Sequence, residues 1–446
     1  GFVRNWIKVN LQPLSFDTDL SVETWLDCTN YSAKRKQLLL ELSKTFGDIR
    51  EDPDWVKLKS FIKDEFYSEL KYPRTINSRT DRFKTYVGPT FKAIEKVLFS
   101  RPEFIKKVPV ASRPKYIIDR LFRLGGKYIA TDFSSFECSF TDEVMDMCEF
   151  ELYYYMVQSL PHANRFREIL EDVIAGDNVL DFKYFTAIVK ATRMSGEMNT
   201  SLGNGFTNLM LNLFVCSELG IDVSDAIVVE GDDGLFSVDD WPGTDLHEKL
   251  GFTIKLEVHE NIEEASFCGL VFDIHDGNNL CDVKDVLATV GWLNQKYRSA
   301  KTTKLRGLLR CKALSFAHQY PGCPIVQEMA QAFLRLTKSI DVRHLIMKSC
   351  ANEYERELAS QYIGTPVPYR TVGAGSRLII EEKYGVTVTE QRKLEDYFRA
   401  VTQIEPIPAR LTRFFPDLWV EQFRMYVARD DVQAPYVPTL YALPEV

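Results

Sequence analysis

The run Lys127-Tyr-Ile-Ala-Thr-Asp132 follows a Gly125-Gly126 break, and its short apolar stretch predicts a buried strand that ends on a carboxylate. A Ser134-Ser135 turn comes next. Thr141 is a suitable cap for the helix after it, where Val144, Cys148, Leu152 and Tyr155 recur at helical spacing. Ser195 to Asn199 is polar and reads as a loop. From Thr200 the apolar residues Leu202, Phe206, Leu209, Leu213 and Cys216 predict a helix that Gly220 stops. Two apolar runs then flank Gly231-Asp232-Asp233-Gly234, at Ala226 to Glu230 and Leu235 to Val238, which predicts an antiparallel hairpin. Upstream, helices are expected over Ala33 to Thr45 and Pro89 to Ser100. Past Val286 the pattern is mostly helical, through Arg298 to Leu314, Pro324 to Thr337 and Ala351 to Gln361. The stretch Pro435 to Pro444 holds three prolines and is expected to lie extended.

Composition narrows the class without naming a function. With 446 residues, 45% of them hydrophobic and 26% charged, the chain has enough apolar side chains for a core and is not wholly disordered or collagenous. No apolar run reaches the roughly 18 residues of a membrane span, and the opening Gly-Phe-Val-Arg-Asn-Trp lacks the pattern of a secretory signal, so neither is expected. Nine scattered cysteines without a CxxC pair suit reduced thiols better than a disulfide framework or zinc ribbon. The net charge is −8, yet Lys71 to Lys127 carries 15 basic residues against four acidic ones. Val286 to Gln327 carries seven basic residues and no acidic one. Two positive segments therefore bracket an acidic middle, as two walls of a polyanion channel would require; two solvated helix faces are the plainer alternative.

If the strand ending at Asp132 neighbours the hairpin, Asp132 and Asp232 project from one sheet edge, with Asp233 beside them. Oxygen donors without a convergent His or Cys suit Mg²⁺ (or Mn²⁺) rather than zinc or copper. Two such ions, roughly 4 Å apart, are the arrangement that activates a hydroxyl and stabilises a leaving pyrophosphate. Gly-Asp-Asp alone is a weak signal; its company is not.

Asp132-Phe-Ser-Ser-Phe-Glu137, Ser195-Gly-Glu-Met-Asn-Thr-Ser-Leu-Gly-Asn204 and Gly231-Asp-Asp233, in this order, resemble the palm motifs of viral RNA-dependent RNA polymerases. The resemblance is to the tombusvirus-like and nodavirus-like branch of positive-strand RNA viruses, and it covers residues 60 to 275. It implies a right-hand α+β fold. Fingers would occupy 1–125, with a basic element at 63–79, and an insertion at 151–190. The palm, an antiparallel sheet packed on helices, would take 126–150 and 191–275, and a mostly helical thumb with its tail 276–446.

The resemblance also implies residue roles. Asp132, Asp232 and Asp233 would hold two metal ions, with the Phe133 carbonyl as a further ligand. Lys63, Lys71, Arg74 and Arg79 would bind the triphosphate. Glu137, standing where the family usually has Asp, would face the ribose with Ser195, Thr200 and Asn204. Lys255 in Leu250-Gly-Phe-Thr-Ile-Lys255 would protonate pyrophosphate, with a surface lysine as its alternative reading. The Gly196 loop and Cys268, in Ser266-Phe-Cys-Gly269, would lie along RNA, Cys268 being a packing residue rather than a nucleophile. Lys296, Arg298, Lys301, Lys304 and Arg306 would contact the product backbone. The expected partners are template and product RNA, NTPs and other viral replication proteins. The expected location is host-cell cytoplasm, at membrane-associated replication complexes reached through other segments or partners. A reverse transcriptase and a non-catalytic RNA-binding subunit are the competing classes.

Overall fold

The computed structural model describes residues 1–29, 31–45, 49, 52–63, 65, 72–293, 297, 299–343, 362–404 and 413–421. Lys71, Lys296 and Arg298 lie outside them, as do the helix expected at Ala351 to Gln361 and the tail from Pro435. The chain forms two compact units. One comprises Gly1–Lys63, Pro73–Val108 and Asp119–Cys268; the other comprises Glu65, Tyr72, Pro109–Ile118 and the described residues after Cys268.

The strands of the first unit are β1 (Lys57–Ile62), β2 (Thr75–Arg79), β3 (Lys127–Phe133), β4 (Asp177–Asp181), β5 (Thr186–Lys190), β6 (Ile227–Glu230), β7 (Asp233–Val238), β8 (Ile254–His259) and β9 (Ser266–Phe267). One four-stranded sheet has the order β6-β7-β3-β8 and is antiparallel throughout. Its strand β3 is central, with Tyr128 to Thr131 buried, because the run is apolar enough to be covered on both faces. The outer edge of β6 is closed by backbone: Val229 N–H donates to Glu103 O at 2.8 Å, beside a parallel bridge between Phe104 and Val229. The helix Thr200–Glu218 packs on β6 and β7 and is buried around most of its circumference. Its Phe206, Leu209 and Leu213 join Ile129, Phe133, Ile227 and Phe236 in the main core.

The second sheet runs β2-β1-β4-β5, with β1 and β4 parallel and the other pairs antiparallel. In the second unit, β10 (Leu270–Phe272) pairs antiparallel with β11 (Asn279–Leu280). Helices dominate the rest, among them Thr302–Gln319, Val326–Leu336, Ala374–Tyr384 and Val388–Ala400. Val326, Met329, Ile380, Leu394 and Phe398 share their core. The mixture of helices and largely antiparallel sheet is the α+β class expected. Among the described residues no helix is long and apolar enough to cross a membrane.

Three boundaries differ from the sequence expectation. The helix expected from Pro89 begins at Asp81, capped by Thr80, and runs through Pro89 to Leu98. Burial of Phe83, Val87, Phe91, Ile94 and Leu98 outweighs the one backbone bond that proline removes. The helix expected from Arg298 starts at Thr302 and continues to Gln319. In the hairpin, β7 already begins at Asp233, leaving only Gly231-Asp232 as the connection. Gly231 adopts φ +63°, and the two-residue turn is tighter than the four-residue one predicted because Glu230 and Asp233 still pair.

Candidate active site

The register of the antiparallel sheet assembles the acidic cluster. Strands β3 and β7 pair up to Thr131 opposite Gly234, so Asp132 lies one residue beyond that pairing and Asp233 one residue before it. On the other side of β3, Asp132 is directly opposite Lys255 of β8, which puts the two side chains on one face. Asp132, Asp233 and Lys255 thus belong to one row across three strands, and Asp232 stands at the turn beside them. Close approach at the neighbouring Thr131–Gly234 pair requires glycine at 234: a Cβ there would fall 2.5 Å from Thr131 Oγ1.

The electrostatics report the crowding. Asp233 is pushed up to about 6, first by burial and then by the Asp232 carboxylate; Asp132 and Glu230 add to the rise, while a hydrogen bond from the Cys268 thiol opposes it. Asp232 is exposed at the turn, yet it is raised first by desolvation from the protein packed around it, with Glu137 and Asp132 as further negative neighbours and Arg74 as the opposing cation. Arg74 is therefore close enough to act on Asp232. The Lys63 N–H donates to Arg74 O at 2.9 Å, so both residues stand where β1 and β2 run into their connecting segment. Lys255 is exposed, hydrogen-bonded to Glu257, and held above the ordinary lysine range by Glu257 and, less strongly, by Asp132.

Arg79 corrects the sequence expectation. It is buried with its guanidinium turned inward, paired with Glu197 at 2.6 Å, hydrogen-bonded to Asn178 and Val56 O, and packed 5.1 Å from the Phe83 ring centroid. A buried cation of this kind neutralises a buried carboxylate, and here the guanidinium is committed to Glu197 rather than turned toward the acidic row. Its effect is on the Ser195–Asn199 loop, which carries Glu197. That loop is also held by β2, where Asn77 N–H donates to Ser195 O at 2.7 Å. Gly196 has φ +105°, and a Cβ there would meet Ile76 at 2.9 Å, so only glycine makes this approach.

Ser195 Oγ donates to Glu137 Oε1 at 3.2 Å, joining the two segments expected to face the ribose. Thr200 Oγ1 donates to Met194 O at 3.0 Å and so closes the loop. Asn204 is buried, and among the described residues its Oδ1 meets no hydrogen-bond partner. A buried amide oxygen left open costs free energy unless a ligand satisfies it. Cys268, at φ +53°, follows β9 and stands against Asp233. Phe133 keeps its ring in the core, 4.5 Å from that of Phe136. In the second unit Lys301 precedes the helix Thr302–Gln319, Lys304 lies 5.0 Å over the Tyr297 ring, and Arg306 is exposed on the same helix.

Among the described residues, no three carboxylate, imidazole or thiol groups converge tightly enough to enclose an ion. The donor chemistry of the cluster nonetheless fits a hard divalent cation: carboxylate oxygens that repel one another and lack an imidazole partner. Two features escaped the sequence reading. One is the buried Arg193–Glu149 pair beneath the loop, completed by Tyr153 donating to Glu149. The other is Asn208, which donates to Gly231 O at 3.1 Å and Asp233 O at 2.9 Å. The signal for it was present, since Asn204, Asn208 and Asn212 recur every four residues along a largely apolar helix.

A family model described as viral RNA dependent RNA polymerase matches residues 177–405, just over half of the chain. The match includes Ser195 to Asn204, the hairpin and Lys255, whereas Asp132 and Glu137 precede it. The RNA-directed RNA polymerase of Panicum mosaic virus (strain United States/Kansas 109S) is 25% identical over 408 residues, which is 84% of this chain and 39% of that protein. The chain thus spans well under half the length of the curated relative it matches.

Proposed function

The chain belongs to the viral RNA-dependent RNA polymerase family, and on that footing we propose that it copies RNA, transferring nucleotidyl groups from NTPs to an RNA 3′-hydroxyl in viral genome replication. The observation that carries this reading is the row in which Asp132 and Asp233 flank the β3–β7 pairing, with Asp232 at the turn and Lys255 opposite Asp132.

In this reading the β6-β7-β3-β8 sheet and the Thr200–Glu218 helix are the palm. The β2-β1-β4-β5 sheet belongs to the fingers, and the helices of the second unit are the thumb. Asp132, Asp232, Asp233 and the Phe133 carbonyl would hold two Mg²⁺ or Mn²⁺ ions. When bound, these supply Lewis acidity to the 3′-hydroxyl and charge neutralisation to the leaving pyrophosphate. Arg74 and Lys63 draw the triphosphate toward the carboxylates. The 3′-hydroxyl gives its proton to solvent as its oxygen attacks the α-phosphorus, the bond from the α-phosphorus to the bridging oxygen breaks, and the leaving pyrophosphate would take a proton from Lys255, which water then restores. Glu137, oriented by Ser195, and the open Asn204 Oδ1 receive the ribose hydroxyls, which favours ribonucleotides over the deoxynucleotides of a reverse transcriptase. Action within membrane-associated complexes of the host cytoplasm, with other viral replication proteins, is supported by the family resemblance.

Primer extension on a defined RNA template, with and without Mg²⁺ or Mn²⁺, tests the proposal. The expected result is metal-dependent incorporation of rNTPs that Asp232→Asn abolishes while RNA affinity persists. Wild-type protein that binds RNA but extends nothing with either metal would leave the non-catalytic binding subunit as the reading.

A further inference from the structure

Asparagine is a poor helix-interior residue, and a buried amide must place both its donors and its acceptor. The helix Thr200–Glu218 nevertheless buries Asn208 and Asn212 completely. Their bonds form one directed chain. His247 Nε2 lies 3.3 Å from Asn212 Oδ1. Asn212 Nδ2 donates to Asn208 Oδ1 at 2.7 Å, and Asn208 Nδ2 donates to the carbonyls of Gly231 and Asp233. These two carbonyls bracket Asp232 in the sequence. Only one orientation of each amide satisfies the chain, because Asn208 Nδ2 faces acceptors alone and Asn208 Oδ1 faces a donor.

The turn that Asn208 grips is under electrostatic load. Asp232 and Asp233 repel each other and Asp132, and Asp232 stands exposed at the tip of a two-residue connection. A donor pair acting from behind, on the peptide carbonyls rather than the carboxylates, fixes where Asp232 starts without consuming its oxygens. The same side chain also limits residue 234, where a Cβ would come within 3.3 Å of Asn208 Oδ1.

We propose that Asn208 is a positioning residue for the catalytic carboxylates: its amide, oriented by Asn212, clamps the Gly231–Asp233 turn so that Asp232 and Asp233 meet a divalent cation together with Asp132. The inference rests on the polymerase reading and adds a group that touches neither metal nor nucleotide. Supporting groups of this kind behind metal-binding side chains typically govern metal affinity or activity by about 10- to 100-fold.

The test compares wild type with Asn208→Leu, which keeps the bulk and removes the donors, and Asn208→Asp, which sets an acceptor against the two carbonyls. Mn²⁺ alone is titrated into each metal-free protein by calorimetry, and kcat, the KM for NTP, RNA affinity and the melting temperature are measured beside it. Both variants are expected to bind Mn²⁺ about 10- to 100-fold more weakly and to lose kcat by a similar factor, with RNA affinity within about twofold of wild type. Wild-type Mn²⁺ affinity in Asn208→Leu, whether or not its melting temperature falls, overturns the proposal. Should Asn208→Leu fail to fold, Asn212→Leu decides, since it leaves both carbonyl bonds possible but frees the amide to flip. It should weaken Mn²⁺ in the same direction by a smaller factor, and an unchanged titration overturns the clamp. Wild type that binds Mn²⁺ yet extends no primer removes the polymerase reading, while the variant titrations still decide the positioning role.

Discussion

At the residue scale the proposed ribose side of the site turns on Glu137, whose carboxylate accepts from Ser195 Oγ. Removing it in Glu137→Ala takes away one charged acceptor, worth about 1.4 kcal/mol, so discrimination of rNTPs against dNTPs should fall about tenfold. Parallel incorporation assays with the two nucleotide sets measure this, and an unchanged ratio would assign the selection elsewhere. Arg79 makes a different prediction because it is fully buried against Glu197. Arg79→Ala strands a buried carboxylate and should cost about 3–5 kcal/mol of stability in urea unfolding; a loss under about 1 kcal/mol would contradict the buried pair. The contrast between these residues shows what sequence reading resolves at this scale. Asp132 ends an apolar run and Asp232 tips a hairpin, so their exposure follows from local pattern. Arg79 stands in a basic run whose members look alike, and only the fold shows that it faces a carboxylate from a distant segment.

At the element scale, the Thr200–Glu218 helix links the Ser195–Asn199 loop at its start to the Gly231–Asp232 turn along its flank. His247, from the short helix Leu246–Lys249, closes that link and is buried, its ring 6.2 Å from that of Phe133. Burial pushes its pKa down to about 4, and no charged neighbour contributes to the shift. The unfolded chain, with histidine near 6.5, therefore takes up a proton first as the pH falls. Stability from this group is complete above about pH 6.5 and is lost progressively toward pH 4, by roughly 3 kcal/mol in all. His247→Gln should remove that part of the slope when unfolding free energies are compared between pH 7 and pH 4; identical slopes would refute it. The helix and the hairpin were both legible as elements, since period and turn residues are local signals. Their junction was not, because Asn208 reads as an ordinary polar interruption until a turn more than 20 residues away is laid against it.

At the scale of the whole molecule, a chain of net charge −8 that binds RNA as proposed would do so through local patches. Affinity for single-stranded RNA should fall with salt, by about 0.7 in log–log slope for each phosphate neutralised. Replacing Lys301, Lys304 and Arg306 together with Ala should flatten that slope by about 2 if all three meet phosphates, and an unchanged slope in salt-dependent binding would place the RNA elsewhere. The sequence by itself determined the strand that ends at Asp132, the helix from Thr200 and the acidic hairpin, because periodicity, glycine and capping residues act within a few positions of one another, while the α+β class followed from the motif resemblance. Tertiary structure alone decided that β3 is inserted between β7 and β8, that Lys255 stands opposite Asp132, that Arg79 turns inward, and that Asn208 holds the turn. Those outcomes depend on which distant segments share a core and a register, and such pairings are fixed by packing and by the cost of leaving a buried polar group unmatched.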